Sequence, residues 1–222
     1  MTSEREVRVL RAADRTAEAW KNGGGVTRQI AARPEGPDAA GFAWRVSLAE
    51  VAADGPFSAF PGVDRTLTLA EGAGMDLTVD GVRRLVDERY VPQRFAGDVP
   101  TGCRLIAGPV VNFNVMYRRD AVRAEVSVVR GDLALTVPPG AGALLVVALA
   151  GPVLLDGPGL AEGPGLSGEP CLSGEACVPG DPPGGPVRLG TYDALLATGG
   201  EQGVLHLGAE GRAAVVRFTP GG

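Results

Sequence analysis

Apolar and polar residues alternate along much of the chain, and this period of two predicts β-strands. The pattern is clearest over residues 42–49, where four large apolar side chains alternate with small or polar ones. The apolar face predicts a core. The opposite face carries Arg45 and Ser47 among alanines, a composition that suits either solvent or a ligand cavity.

A second alternating strand is predicted over residues 110–117. Its apolar face contains Phe113, while Asn112 and Asn114 share the opposite face with Met116. Two asparagines beside a methionine are unusual both for a solvated face and for a core. Because side-chain amides orient carboxylate or amide groups well, this face is a candidate ligand surface.

Arg65 begins a third strand and falls on the same face as Leu67 and Leu69. If that face is buried, the guanidinium needs an anion or several acceptors, because an unpaired buried charge is costly. Two alternatives stay open: Arg65 extends past the end of the strand into solvent, or it pairs with a carboxylate of the protein itself. Asp98, which ends a segment rich in proline, aromatic and glycine residues, is the candidate partner.

Glycine and proline separate short runs of valine, leucine and alanine, which favours an all-β fold. The chain has 34 glycines and 18 prolines in 222 residues, spread between the predicted strands. One short helix is predicted over residues 14–19, with Asp14 as its N-cap. Few stretches between the glycines and prolines are long enough to form a long helix.

Charge and cysteine content narrow the possible partners. The net charge is −5, with 21 basic and 26 acidic residues and no basic stripe, so nucleic acid is not expected as a partner. No apolar run is long enough to span a bilayer, and no signal-type core follows the first residues, so we expect a cytoplasmic protein that does not bind membranes. Three cysteines, an odd number, do not indicate a disulfide framework.

Two stretches share the order strand, glycine turn, strand, Asp-Gly, at residues 67–81 and 145–157. This weak internal repeat suggests two related β units in tandem. We therefore predict one unit over residues 1–120, which holds the ligand pocket, and a second over residues 121–222, a division that allows strands to be exchanged between the two. Residues 158–186 are low in complexity and are predicted to form a Gly/Pro-rich insertion in the second unit.

Five sequence blocks stand out in the first half of the chain. They are residues 20–27 (WKNGGGVT), 44–49 (WRVSLA), 54–65 (DGPFSAFPGVDR), 95–98 (FAGD) and 112–119 (NFNVMYRR). In this order they resemble the signature of the HutD/Ves family. The resemblance implies a bicupin, that is, two tandem jelly-roll-type β-barrels in one chain. It also implies a link to histidine utilisation and a regulatory role, through binding of a small carboxylate such as urocanate or N-formylglutamate.

We therefore predict a ligand site in which arginines meet the anion, polar side chains supply hydrogen bonds and aromatic rings form the walls. The predicted residues are Arg65, Arg45, Asn22, Ser47, Asn112, Asn114, Phe60, Trp20, Phe95 and Asp98.

A binding protein is preferred over an enzyme because no nucleophile is paired with a base in the sequence. The alternative is a metal-free isomerase or hydrolase that uses Asp98 or Glu71 as a general base near Arg65. A cupin metal centre needs several histidines, and the chain has one, His206. We therefore assign no catalytic residue, no metal and no cofactor. The expected partner is the carboxylate ligand, and the sequence also allows a homodimer.

Overall fold

A computed structural model describes residues 6–34, 41–157, 160, 185–199 and 203–221. Its one helical element within these ranges is a single 3₁₀ turn, Ala12–Asp14. The prediction of a short helix over residues 14–19 is wrong, because residues 17–19 pair as an edge strand. Among the described residues, no helix has the length and apolar character needed to cross a membrane.

The described elements confirm an all-β fold. The strands are β1 (Glu6–Leu10), β2 (Ala17–Ala19), β3 (Gly25–Arg33), β4 (Trp44–Val51), β5 (Gly55–Phe57), β6 (Val63–Glu71), β7 (Met75–Val79), β8 (Val82–Val86), β9 (Pro92–Ala96), β10 (Thr101–Leu105), β11 (Val110–Arg118), β12 (Val122–Leu135), β13 (Ala143–Ala150), β14 (Val153–Asp156), β15 (Val187–Leu189), β16 (Ala194–Thr198) and β17 (Leu205–Pro220).

The strands form three antiparallel sheets. The central sheet has the order β2-β3-β4-β11-β6-β9, and a smaller sheet has the order β5-β10-β7-β8. The third sheet has the order β1-β16-β13-β17-β14-β15, with β12 paired to the long strand β17. Except for β1, the third sheet is built from residues after 121, and the two other sheets from residues before it.

Each face of the central sheet packs against a different layer. One face carries the large apolar residues predicted from the alternation, and these pack against β13 and β17 of the third sheet. Trp44 stacks on Phe218 there, with ring centroids 4.2 Å apart. The other face looks toward the small sheet, and Leu67 and Leu69 share a core with Leu77 of β7. The alternation along β4 and β11 therefore predicted the core face correctly, and it left the opposite face open between solvent and a cavity.

The third sheet has its own core on the face turned away from the central sheet, including Leu144, Leu155 and Leu195. Strand β1 belongs to this sheet, because Glu6 to Leu10 pair antiparallel with Thr198 to Ala194 of β16. Most of the predicted insertion at 158–186 lies outside the described residues.

Candidate functional site

One face of β4, β11 and β6 forms the floor of a cavity of about 600 Å³ in the N-terminal half. Met116 of β11 is paired with Arg45 on β4 and with Arg65 on β6, so the two arginines flank the methionine in one row across the sheet. Because strand side chains alternate, every second residue shares this face. The next row is Ser47, Asn114 and Leu67, and the third is Ala49, Asn112 and Leu69.

Two loops form the walls of the cavity. The turn after β2 contributes Trp20, whose indole Nε1 donates a hydrogen bond of 2.8 Å to Thr27 Oγ1. The end of β5 contributes Phe57, and the segment between β5 and β6 contributes Phe60. The ring of Trp20 meets that of Phe57 edge to face, with centroids 6.3 Å apart, so the two walls touch. The cavity is thus apolar at its sides and polar along its floor.

Arg65 is the buried charge of this floor, with 7% of its surface exposed. Within the described part of the chain its guanidinium has no carboxylate partner, and its Nε has no hydrogen-bond acceptor. Burial, and then the nearby charge of Arg45, lower the pKa of Arg65 from its ordinary value to about 10. The side chain therefore stays cationic at neutral pH and is unneutralised.

Arg45 is half-buried, and the protein provides only weak partners for its guanidinium. Its Nη2 donates to the thioether sulfur of Met116 at 3.4 Å, a poor acceptor, and its Nε has no partner among the described residues. Burial lowers the pKa of Arg45, and the charge of Glu18, an exposed residue at the cavity rim, acts in the opposite direction. The floor thus presents two cations that the protein itself leaves largely uncompensated.

Aromatic rings surround these guanidiniums where acidic side chains would be expected. The Cζ atom of Arg65 lies 5.2 Å from the ring centroids of Phe57 and Phe95 and 5.8 Å from that of Phe60. The Cζ of Arg45 also lies 5.8 Å from the Phe60 ring. Cation–π attraction therefore holds both charges in position without neutralising them.

Asp98 does not line the cavity, and its partners are elsewhere. Its carboxylate accepts hydrogen bonds from the backbone N–H of Gly62 and from Arg119, which also binds Asp64. Arg119, and then the Gly62 N–H, lower the pKa of Asp98. Asp98 thus fixes the turn that carries Phe60 to the cavity instead of competing for Arg65.

The remaining predicted residues occupy distinct places around the cavity. Asn22 lies at the rim, where its Oδ1 accepts a 3.1 Å hydrogen bond from the Gly24 N–H. Asn112 and Asn114 line the floor. Ser47 is buried in the same row as Asn114 without lining the cavity. Phe95 is buried behind Arg65, so its role is to support the arginine.

The sequence analysis missed several cavity residues. Phe57 was recognised as apolar but not assigned to the site, although its position in the same Pro/Gly-rich segment as Phe60 was a usable signal. Met116 was placed on the face of the two asparagines by the alternation, but it was not assigned to the site. Glu18 lines the rim because β2 is a strand, which the expected helix concealed, and Lys21 lines it from the turn after β2.

The described residues contain no group of three or more His, Cys, Asp or Glu side chains placed to hold a metal ion. The chemistry available in the cavity is that of guanidinium, ammonium and amide donors, with Glu18 as a carboxylate at the rim. Such a set recognises an anion.

The sequence matches the HutD family over residues 12–215. It is 37% identical over 120 residues to an uncharacterised 21.2 kDa protein in the hutC 3′ region of Pseudomonas putida, which covers 54% of this chain and 63% of that protein. It is 41% identical over 110 residues to protein Ves of Cronobacter sakazakii, which covers 49% of this chain and 59% of Ves. The chain thus spans less than two thirds of the length of these relatives.

A solved structure resembles the fold over nearly its whole length. This is HutD from Pseudomonas fluorescens SBW25 in a formate condition, with a TM-score of 0.74 and 31% sequence identity, over 98% of this chain and 100% of that one. The fold is all-β and cupin-like.

Proposed function

Because the chain belongs to the HutD family, we propose that it is a cytoplasmic protein which binds a small carboxylate of histidine utilisation, such as urocanate or N-formylglutamate. The ligand occupies the cavity of the N-terminal half, and binding serves regulation instead of turnover. The link to histidine utilisation is supported by the relative in the hutC 3′ region of Pseudomonas putida.

The observation that carries this proposal is Arg65. Its guanidinium is almost fully buried, faces a cavity and has no acidic partner in the described part of the chain. A protein keeps such a charge at a cost in stability, and a bound carboxylate would satisfy it through charge-assisted hydrogen bonds. The cavity volume, about 600 Å³, is typical of small-molecule sites.

No observation favours the enzyme alternative. Of the two carboxylates considered as general bases, Asp98 is held by Arg119, and Glu71 accepts a hydrogen bond from the hydroxyl of Tyr192. Neither lines the cavity. A base must lie within hydrogen-bond reach of the proton that it removes, and these two do not meet that requirement.

The proposal includes two tandem barrels, at residues 1–120 and 121–222, with β1 exchanged into the second. Two separate cores support this division. One contains Leu67, Leu77 and Phe95 of the first unit, and the other contains Leu144 and Leu155 of the second. The exchanged strand packs Val7 and Val9 against the second core.

Thermal unfolding with and without ligand tests the binding proposal. At a ligand concentration of about 100 times Kd, binding stabilises the folded state by about 2.7 kcal/mol. For a chain of this size that raises Tm by roughly 5 to 10 °C. We expect the rise with urocanate or N-formylglutamate in the wild type, and its loss in Arg65→Met.

The control variant is Arg104→Met, which removes an exposed arginine outside the cavity and should keep the full rise in Tm. Fluorescence of Trp20, in the cavity wall, gives a second readout, with Trp44 buried in the core as the internal reference. The proposal fails if neither compound changes Tm at millimolar concentration, or if Arg65→Met responds as the wild type does.

A further inference from the structure

We propose that the cavity has two anion subsites, at Arg65 and at Arg45, and that its ligand is a small dicarboxylate which spans them. This inference rests on the proposed carboxylate site at Arg65 and adds the class of ligand. It assigns to Arg45 the second carboxylate.

The first argument is geometric. Arg45 and Arg65 are both paired with Met116, from opposite sides, so one strand separates them. Both guanidinium carbons lie 5.8 Å from the centroid of the Phe60 ring. They are therefore no farther apart than twice that distance, a span that one ligand with a chain of a few carbon atoms can bridge.

The second argument is the charge balance of the cavity. Among the residues that the structure describes, three cations line it, Arg45, Arg65 and Lys21, against one carboxylate, Glu18, which leaves two net positive charges. Glu18 is exposed, so water screens its effect on Arg45. A monocarboxylate would neutralise one of these charges, whereas a dicarboxylate neutralises both.

The third argument is the form of the surface between the two arginines. Met116 lies between them on the floor, and Phe60 approaches both, so the space between the subsites is apolar and suits methylene groups. At each end a planar guanidinium offers paired N–H donors that match a carboxylate. The Nε donors of both guanidiniums have no hydrogen-bond partner within the described part of the chain, so they stay available to a ligand.

A rival arrangement has both arginines on a single carboxylate. It predicts equal binding of mono- and dicarboxylates of the same size. Glutarate and glutaramate separate the two arrangements, because the second replaces one carboxylate by an amide of nearly the same shape.

Isothermal titration calorimetry of the purified chain with these two compounds is the test. We expect the wild type to bind glutarate at least about tenfold more tightly than glutaramate, as for a charge-assisted hydrogen bond. In Arg45→Gln the preference should vanish, with glutarate affinity falling to that of glutaramate and glutaramate affinity changing less than about threefold. Arg45→Lys should keep part of the preference, and Arg104→Gln all of it.

Each other result overturns the two-subsite arrangement. Equal binding of both compounds, lost in Arg65→Met, leaves the carboxylate site intact and rejects the second subsite. Absence of glutarate binding while urocanate still raises Tm has the same consequence. If Arg45→Gln keeps the preference and unfolds at the wild-type temperature, the second carboxylate is not at Arg45.

Discussion

Replacing Arg65 by methionine should stabilise the ligand-free protein while it removes ligand binding. Methionine keeps the length and apolar stem of the side chain and deletes a charge that is 93% buried, since 7% of its surface is exposed. Most core substitutions destabilise proteins, so a gain in stability would be a distinctive outcome.

The magnitude follows from the pKa of Arg65, which is lowered from its ordinary value to about 10. At about 1.4 kcal/mol for each pKa unit, the folded state disfavours the charged guanidinium by roughly 3 kcal/mol. Attraction to the surrounding rings offsets about 0.5 to 2 kcal/mol of this. We therefore expect Arg65→Met to raise the free energy of unfolding by roughly 1 to 3 kcal/mol, and Tm by about 2 to 10 °C.

The pH of the measurement matters because the pKa of Arg65 is lower in the folded state than in the unfolded state. Between about pH 10 and the ordinary pKa of arginine the unfolded state binds more protons, so the destabilising effect of Arg65 declines as pH rises through that window. Below it both states are protonated and the effect is complete. Neutral pH therefore gives the largest difference between wild type and variant.

Urea and thermal unfolding followed by circular dichroism at pH 7, without ligand, provide the assay. Arg119→Met is the matched control, because Arg119 has two carboxylate partners, Asp64 and Asp98, and its loss should destabilise the protein. The reasoning is refuted if Arg65→Met unfolds at or below the wild-type urea midpoint. It is also refuted if the urea midpoints of both variants shift in the same direction from that of the wild type.

Three further predictions concern the supports of the cavity. Gly25→Ala should lower Tm, because its Cβ would lie 2.2 Å from a backbone oxygen of the neighbouring strand. In the control variant, Gly102→Ala, the Cβ meets nothing within 4 Å, so Tm should be nearly unchanged. Equal melting curves of the two variants would contradict this. Tyr192→Phe removes the hydrogen bond to Glu71 and should cost about 1 kcal/mol in urea unfolding; an unchanged midpoint would show that the bond contributes nothing. Because the pKa of Asp98 is lowered in the folded state, its carboxylate stabilises the fold at pH values above the ordinary pKa of aspartate, and this contribution is lost as pH falls. Stability should therefore decline less between about pH 5 and 2 in Asp98→Asn than in wild type. Parallel acid titrations of the two proteins would disprove this.

The faces of the central strands could be predicted from sequence because strand alternation is a local property. Arg65, Asn112 and Asn114 were placed correctly on the cavity side by counting from neighbouring apolar residues. The burial of Arg65 was inferred only on the condition that its strand face is buried, with a solvent-exposed arginine or an internal ion pair left open; in the structure the side chain is buried. The family was predicted from five short blocks and is also confirmed.

The partner of Asp98 could not be predicted, because it depends on which turn lies beside the end of β9. Arg119 reaches that turn only through the register of β11 against β6. The strand at residues 17–19 was missed for a related reason. Three residues carry too little periodicity to show a strand, and pairing with β3 decides their conformation.

The pairing of β1 with β16 has a consequence for how the chain is made. Residues 6–10 are synthesised long before their partners, Ala194 to Thr198. The third sheet therefore cannot gain this edge strand until residues 194–198 have been synthesised, even though the cavity strands β2 to β11 are complete by residue 118. The cavity half can form its sheets first, and closure of the first strand onto the third sheet is a late, long-range step of folding.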